Sequence, residues 1–168
     1  MDEGGSRIGR VLAVLAVLGI AVMWIYIYSG AASDDAPDEL DDPAFARTAE
    51  PVCADTVAAL DRLPPAADSE TAADRAAVLD EANDLLAAMV DELSAIPVDD
   101  EADAELVELW LADWRRYLED RRTFAAELAT DPDAELLVTA RGGRQITVTA
   151  DRFAQINDMP SCATPLDA

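Results

Sequence analysis

The pattern of hydrophobic and polar positions separates an uncharged segment near the start of the chain from an alternating, charged remainder. Positions 11–33 contain no charged side chain. A helix rises about 1.5 Å per residue, so about 20 apolar residues span the roughly 30 Å hydrocarbon core of a bilayer. Trp24, Tyr26 and Tyr28 gather at the end of this run, where aromatic rings favour the headgroup region. We therefore predict a transmembrane helix over residues 11–30.

Positive charge on one side of this segment predicts its orientation. Arg7 and Arg10 precede it, and the next basic residue is Arg47. The positive-inside rule then places residues 1–10 in the cytoplasm and the chain after the helix outside it. A cleaved signal peptide is the alternative, although the apolar run exceeds the usual region of roughly 7–15 residues. A buried core helix is disfavoured because the run has no polar face.

Beyond an acidic linker over residues 31–42, three segments show helical periodicity. Apolar residues recur at spacings of three and four, with charged residues on the opposite face. Ser69 is the predicted cap of the second segment, and Pro51 is predicted to kink or split the first. The predicted helices are Pro43–Leu63, Glu70–Ala95 and Glu101–Ala129.

The periodicity changes after the third helix. Leu136–Thr139 and Gln145–Val148 are strand-like and flank Gly142-Gly143, which predicts a β-hairpin. Two strands alone are marginally stable, so the hairpin must pack on the helices. A short helix over Ala150–Asn157 follows. The predicted fold is mainly α, with an N-terminal transmembrane helix, then a three-helix bundle with a short C-terminal β-hairpin.

The two cysteines, Cys53 and Cys162, are predicted to form a disulfide. An even number of cysteines in an oxidising compartment favours pairing. The bridge would join the first helix of the bundle to an extended C-terminal tail over Met159–Ala168. Two free thiols fit poorly with the predicted location. A zinc site is disfavoured because the chain has no histidine.

Composition narrows the possible functions of the outer domain, residues 43–168. The formal net charge is −23, and the charged residues of the first ten positions cancel. Such a surface repels nucleic acid and anionic headgroups, so we expect no nucleic-acid binding. With neither histidine nor lysine, the chain has no Ser-His-Asp, Cys-His or Ser-Lys site. We predict no catalytic residues, no metal, no cofactor and no enzymatic activity.

Two clusters of side chains have ordinary structural explanations. The acidic segments 99–103 and 131–135 could gather calcium, but they lack the glycine and terminal glutamate of an EF-hand loop. Solvated acids at helix starts are the preferred interpretation. Trp110, Trp114 and Tyr117 could form an exposed aromatic patch. Their helical spacing favours a place in the core.

Arginines suggest one candidate binding site. More than half of the arginines lie between Arg115 and Arg152, in an otherwise acidic domain. Arg141 and Arg144 flank the predicted hairpin turn, and Arg152 follows on the next helix. Together they could bind a phosphate or a carboxylated polymer of the envelope.

The alternative explanation for this arginine-rich region is salt bridging. On the third helix, Arg115 could pair with Glu119, and Arg116 with Asp120, at the i,i+4 spacing that supports exposed ion pairs.

Five short stretches after the linker carry a resemblance to known proteins. They are Glu50–Cys53, Trp110–Arg115, Arg144–Thr147, Arg152–Ala154 and Asn157–Cys162. Together they resemble a family of uncharacterised single-pass membrane proteins of actinobacteria. The similarity extends over nearly the whole chain after the linker, and it implies the same architecture and no catalytic residues.

These observations lead to two functional hypotheses. The first is a membrane-anchored, non-catalytic extracytoplasmic module that contacts another protein or an envelope component. The alternative is a sensor or accessory domain that binds a small anion or ligand. In both, the N-terminal helix holds the protein in the cell membrane, with its C-terminal domain outside the cytoplasm. Oligomeric state is not predicted.

Overall fold

The computed structural model describes residues 38–165, together with Val17 and Ile20. The chain divides into two compact units, Met1–Pro37 and Asp38–Ala168. The predicted cytoplasmic segment, the transmembrane helix and most of the linker therefore lie outside the described residues, although Val17 and Ile20 are helical and exposed. Within the described part, no helix combines the length and apolar character needed to cross a bilayer.

The first described helix of the second unit, α1, spans Ala44–Leu60. Asp42 Oδ1 accepts a hydrogen bond from the Ala44 amide at 2.9 Å and so stabilises its start. The predicted split at Pro51 does not occur, and the helix continues through this residue. Pro51 is exposed, so water can satisfy the Arg47 carbonyl that would otherwise accept an N–H from position 51.

The second helix, α2, spans Ala72–Ser94. Its cap is Thr71, not the predicted Ser69, and Thr71 Oγ1 accepts from the Asp74 amide at 3.1 Å. The same hydroxyl donates to Asp74 Oδ2 at 2.6 Å, in a reciprocal arrangement similar to a capping box. Ser69 follows a short 3-10 helix, Ala66–Asp68, and has extended backbone. That 3-10 helix lies within the connection between α1 and α2.

The longest described helix, α3, spans Glu101–Leu128 and contributes more buried hydrophobic residues than any other described element. Asp100 caps it by accepting from the Ala102 and Asp103 amides at 2.9 and 3.0 Å. Its aromatic side chains are buried, which agrees with the core interpretation and leaves no exposed aromatic patch at these positions. Their exposed fractions are 2% for Trp110, 1% for Trp114 and 3% for Tyr117.

The hairpin is confirmed, but its predicted strands were wrong. The strands are β1, Ala140–Arg141, and β2, Arg144–Gln145, antiparallel with Arg141 opposite Arg144. Both turn glycines have positive φ, 59° and 81°, which is the requirement of a tight two-residue turn. The segment 136–139 is not a strand. Its last amide, Thr139, donates instead to the Asp120 carboxylate at 2.6 Å.

The second predicted strand is the beginning of a helix. This helix, α4, spans Ile146–Ile156 and starts four residues before the predicted position. Ile146, Ala150, Phe153 and Ala154 are its buried residues, at spacings of four, three and one. Burial of that face on α3 outweighs the strand preference of the threonines and valine, because tertiary packing overrides local propensity. Trp110 of α3 stacks on Phe153 with ring centroids 5.2 Å apart.

The disulfide is confirmed. Cys53 of α1 and Cys162 are bonded, with Cα atoms 5.1 Å apart, and the described residues contain no free cysteine. Cys162 lies in a 3-10 helix, Pro160–Cys162, where an extended tail was predicted. Ser161 beside it donates through its hydroxyl to Glu50 Oε1 at 2.6 Å. The tail is therefore joined to α1 by a covalent bond and a hydrogen bond.

The end of the linker is fixed by two buried side chains. Asn157 accepts from the Leu40 amide at 2.8 Å and donates to the Asp38 carbonyl at 3.0 Å. Asp103 accepts from the amides of Asp41 and Asp42 at 2.9 and 3.0 Å. Asp103 is 2% exposed, so it is not the solvated helix-start acid that the sequence suggests. The folded unit therefore begins before residue 43.

Loss of the disulfide should lower the free energy of unfolding by about 2–5 kcal/mol, because the bridge closes a loop across a sequence separation of 109 residues and restricts the unfolded chain. Urea unfolding of the full chain in non-ionic detergent, with and without reductant, measures this. The double variant Cys53→Ser/Cys162→Ser is the control and should match the reduced wild type. A difference below about 1 kcal/mol would contradict the expectation.

Candidate functional site

A cavity of about 920 Å³ lies between the end of α1, the α1–α2 connection, α2 and the C-terminal tail. This volume falls within the roughly 300–1,000 Å³ of typical small-molecule sites. Most of its lining is apolar, and Arg121 and Asp61 are the charged residues among the described lining. The principal apolar lining residues are Val57, Leu60, Leu63, Pro64, Pro65, Val78, Leu79, Leu86 and Met89.

Arg121 is the unusual member of this lining. It is 2% exposed. Its Nε donates to Asn83 Oδ1 at 2.6 Å, its Nη1 donates to Tyr117 Oη at 3.3 Å, and its Cζ lies 5.5 Å from the centre of the Tyr117 ring. No carboxylate among the described residues forms an ion pair with it. A guanidinium keeps its charge, and buried charges in proteins are normally paired with an opposite charge.

Two further donors beside Arg121 have no acceptor. Trp114 also lines the cavity, and its Nε1–H makes no hydrogen bond within the described part of the chain. The Nδ2 group of Asn83 is likewise buried and unpaired. The orientation of the Asn83 amide is set by its Oδ1, which accepts from Arg121. Arg121, Trp114 and Asn83 therefore form a cluster of buried donors, called here the donor cluster. Among the described residues, Trp114 Nε1 and Asn83 Nδ2 have no acceptor and Arg121 has no carboxylate partner.

The helical repeat explains how the donor cluster is assembled. Trp114, Tyr117 and Arg121 are spaced three and four residues apart, so they share one face of α3. Asn83 comes from the facing helix α2, next to Ala82 in the apolar stripe. The sequence contains a usable signal, since Arg121 continues the aromatic stripe at the correct spacing. The signal is easily missed because Arg121 lies among three other arginines of the same helix, at positions 115, 116 and 122, that are exposed.

The C-terminal tail forms one side of the cavity and is held there by side chains. Ser161, Ala163, Thr164 and Pro165 line the cavity. Tyr117 Oη donates to the Pro165 carbonyl at 3.1 Å. Both the amide and the hydroxyl of Thr164 donate to Asp151 Oδ1, at 2.7 and 2.9 Å. Together with the disulfide, these bonds give the cavity a defined wall.

The arginines predicted as an anion site lie away from this cavity. Arg141 forms an ion pair with the buried carboxylate of Asp113. Arg144 faces Arg141 across the hairpin, and Arg152 is exposed on α4. Neither of the two described cavities is lined by any of the three. Anion binding by Arg141, Arg144 and Arg152 stays a prediction.

The predicted salt bridges on α3 are present in part. Arg116 approaches Asp120 at 3.4 Å, as predicted, and also pairs with Glu119 at 2.9 Å. Arg115 pairs with Glu108 at 2.8 Å rather than with Glu119. Exposed pairs of this kind contribute little to stability. Arginines 115 and 116 are thus explained without a ligand.

The acidic segments do not come together as a metal site in the described residues, where no group of three or more carboxylates or cysteines has suitable geometry. Asp131 Oδ1 accepts from the Asp133 amide at 3.0 Å, which is a local turn. Asp113 is the one described carboxyl with a resolved pKa shift. Burial raises the pKa of Asp113 above its ordinary value, and Arg141 opposes that rise.

Comparison of the chain with models of protein families, with curated proteins and with solved structures finds no match. Function must therefore be inferred from the side chains themselves.

Asp113 should make the stability of the domain fall as pH rises from about 4. The folded-state pKa of Asp113 is raised above 3.8, so in this window the folded protein holds a proton that the unfolded chain has released. Stability due to this group is present below the unfolded pKa and is lost as pH rises through the folded pKa. The Asp113→Asn variant lacks this titration.

Urea unfolding of wild type and Asp113→Asn between pH 3.5 and 7 measures the effect as the difference between the two proteins. The free energy of unfolding of Asp113→Asn minus that of wild type should become more positive as pH rises. A difference that is constant across this range, or that changes in the opposite direction, would show that the pKa of Asp113 is not raised.

Replacing Arg121 by methionine should leave the free energy of unfolding unchanged or raise it by about 1–4 kcal/mol, because it replaces a buried, unpaired charge by an apolar side chain of similar length. Arg122→Met is the matched control, since Arg122 is the exposed neighbour on the same helix. Its effect should stay within about 0.5 kcal/mol. If Arg121→Met loses several kcal/mol, Arg121 is a structural residue and not a ligand-binding one.

Proposed function

We propose that this protein is a membrane-anchored, non-catalytic domain outside the cytoplasm that binds a small anionic ligand in the cavity beside Arg121. The observation that carries the proposal is the donor cluster, in which a buried guanidinium has no carboxylate partner among the described residues. An anion supplied by a ligand would provide the missing charge and acceptors. Binding sites are commonly apolar cavities with a few polar groups of this kind, and residues retained for binding often cost stability.

The first hypothesis from the sequence, a surface for a protein or envelope partner, has less support. The aromatic residues that could form a docking patch on α3 are in the core. Large exposed apolar side chains of the folded unit are single residues on different elements. They are Val57 on α1, Leu109 on α3, Leu137 before the hairpin and Val148 on α4. Isolated exposed apolar residues of this kind are normal on protein surfaces.

The location proposed for the domain rests on two features. Residues 11–30 are uncharged and long enough for a bilayer, with arginines only on their N-terminal side. Cys53 and Cys162 are joined, as expected for a domain outside the reducing cytoplasm. The resemblance to actinobacterial single-pass membrane proteins is consistent with the same placement. Blocking free thiols in intact cells, then reducing and labelling, should label both cysteines only after reduction. Labelling before reduction would contradict the location.

The proposed absence of catalysis rests on the chemistry of the cavity. Arginine cannot serve as a general base because its guanidinium does not lose a proton in proteins. Asp61, the other charged lining residue, is exposed. The cavity therefore offers donors for recognition but no activated nucleophile beside them. This favours binding over turnover.

Binding is tested with the full chain in lipid nanodiscs, by calorimetry with benzoate, benzenesulfonate and phenyl phosphate. At least one of these anions should bind with a stoichiometry near one. Arg121→Met should weaken that binding about 10- to 100-fold, because hydrogen bonds to charged groups are worth about 1.5–3 kcal/mol. Arg122→Met should bind like wild type, and empty nanodiscs correct for lipid uptake. Absence of saturable binding, or equal binding by Arg121→Met, would contradict the proposal.

A further inference from the structure

We propose that the ligand is a monocarboxylic acid with an elongated apolar body, its carboxylate bound at Arg121 and Trp114 and its body lying along α2. This inference rests on the proposed function and specifies the class of ligand. Three independent features of the cavity support it: the amount of charge, the balance of donors and acceptors, and the form of the apolar wall.

The charge of the cavity suits a single negative charge. Arg121 supplies one buried positive charge, and no second basic residue is among the described lining residues. The carboxylate of Asp61 also lies in that lining. A phosphate monoester carries a charge of about −1.5 to −2 at neutral pH, so part of its charge would remain uncompensated in a poorly solvated site. A carboxylate carries one charge and matches Arg121.

The hydrogen-bonding groups at this position are donors. Nε1 of Trp114 and Nδ2 of Asn83 are buried without an acceptor among the described residues, while Asn83 Oδ1 already accepts from Arg121. A ligand that brings its own N–H or O–H groups would leave them unsatisfied here, at a cost in affinity. A carboxylate has two acceptor oxygens and no donor, and its planar geometry matches the guanidinium fork.

The apolar residues of α2 that line the cavity lie in one row along the helix. Val78, Ala82, Leu86 and Met89 line the cavity at spacings of four, four and three along α2. This spacing makes them one strip about 16 Å long, and about 9 Å of it lies between Asn83, which contacts Arg121, and Met89. Leu63 and the two prolines after it contribute the facing wall. A strip of this form suits an alkyl chain better than a compact polar body such as a sugar.

Shielding from water makes this position selective. Trp114 and Asn83 are each 1% exposed and Arg121 is 2% exposed. A carboxylate that reaches them leaves bulk water, and electrostatic interactions are stronger in the less polar interior. Because these groups are almost fully buried, neighbouring side chains must move for a ligand to reach them. Binding of the headgroup and of the chain should therefore be coupled.

The test is calorimetry on the full chain in nanodiscs, titrated with butyrate, hexanoate and octanoate, and with hexylamine, hexanol and hexyl phosphate. Each added methylene should tighten carboxylate binding about 4-fold until the chain fills the wall, following the free energy of burying a CH₂ group. Hexanoate should bind at least about 10-fold more tightly than the other three six-carbon compounds, since each lacks the matched charge or acceptors.

Variants distinguish the specific site from uptake into lipid. Trp114→Phe keeps an aromatic ring and removes the N–H, and should weaken hexanoate binding about 10-fold with an unchanged unfolding transition. Arg121→Met should lose the preference for hexanoate over the other six-carbon compounds. Arg122→Met should bind hexanoate as wild type does. If Trp114→Phe fails to fold, the comparison of Arg121→Met with wild type distinguishes the specific site from lipid uptake. The stability of Arg121→Met is measured separately by urea unfolding.

The outcomes separate this inference from the proposed function. If small anions bind in an Arg121-dependent manner but chain length has no effect, or hexyl phosphate binds as tightly as hexanoate, the ligand class is wrong and the anion site stands. If no anion binds at all, both the inference and the proposed function are wrong.

Discussion

Helix α3 carries several buried polar side chains on the same surface as its core aromatic residues. Each of them needs a hydrogen-bond or ion-pair partner, and most of these partners come from the surrounding elements. Asp103 accepts two amides at the end of the linker. Asp113 pairs with Arg141 of the hairpin, and Asp120 accepts the amide and hydroxyl of Thr139. Each of these carboxylates fixes one surrounding element, because a buried carboxylate without donors would be strongly unfavourable. Arg121 follows a different pattern, since its partners are neutral side chains.

The helices and the disulfide could be predicted because local signals and tertiary packing agree there. Apolar spacing placed three helices within two or three residues of their observed ends, and two cysteines allow one pairing. The second strand was predicted wrongly because Ile146–Val148 has a strand-like composition, whereas Ile146 and Ala150 bury one helical face on α3. That burial depends on the position of α3, which the local sequence does not contain.

The candidate site was harder to predict, for a related reason. Arg121 and Asn83 are far apart in sequence, and each resembles an ordinary polar residue of an amphipathic helix until α2 and α3 are packed together. The roles of Asp103 and Asn157 were hidden in the same way, because their partners are backbone amides and carbonyls near residue 40. A backbone partner can belong to any residue type, so the sequence does not reveal such a hydrogen bond. Charge patterns indicated arginines on the surface, while the arginine that matters for the proposal is buried.

A chain with a formal net charge of −23 is a poor attractor of anions at long range. Its own acids repel them over distances of the order of the Debye length, about 8 Å at physiological ionic strength. Selectivity of the proposed site must then come from contact, where a single desolvated positive charge and unpaired donors lie beside the apolar strip of α2. The disulfide and the hydrogen bonds of the tail hold the side of the cavity that the tail forms. In the proposed function, a membrane anchor would determine where the domain is, and the packing of α2 against α3 would determine what it can bind.

The most direct test of this account follows the indole N–H signals of the full-length protein by ¹H–¹⁵N NMR while hexanoate is added. Trp110 is an internal control, because its N–H already donates to the Ala150 carbonyl at 3.2 Å. The account predicts that the Trp114 signal shifts downfield and saturates as its N–H gains an acceptor, while the Trp110 signal stays in place. A Trp114 signal that does not move at saturating hexanoate, or that moves no more than the Trp110 signal, would contradict it.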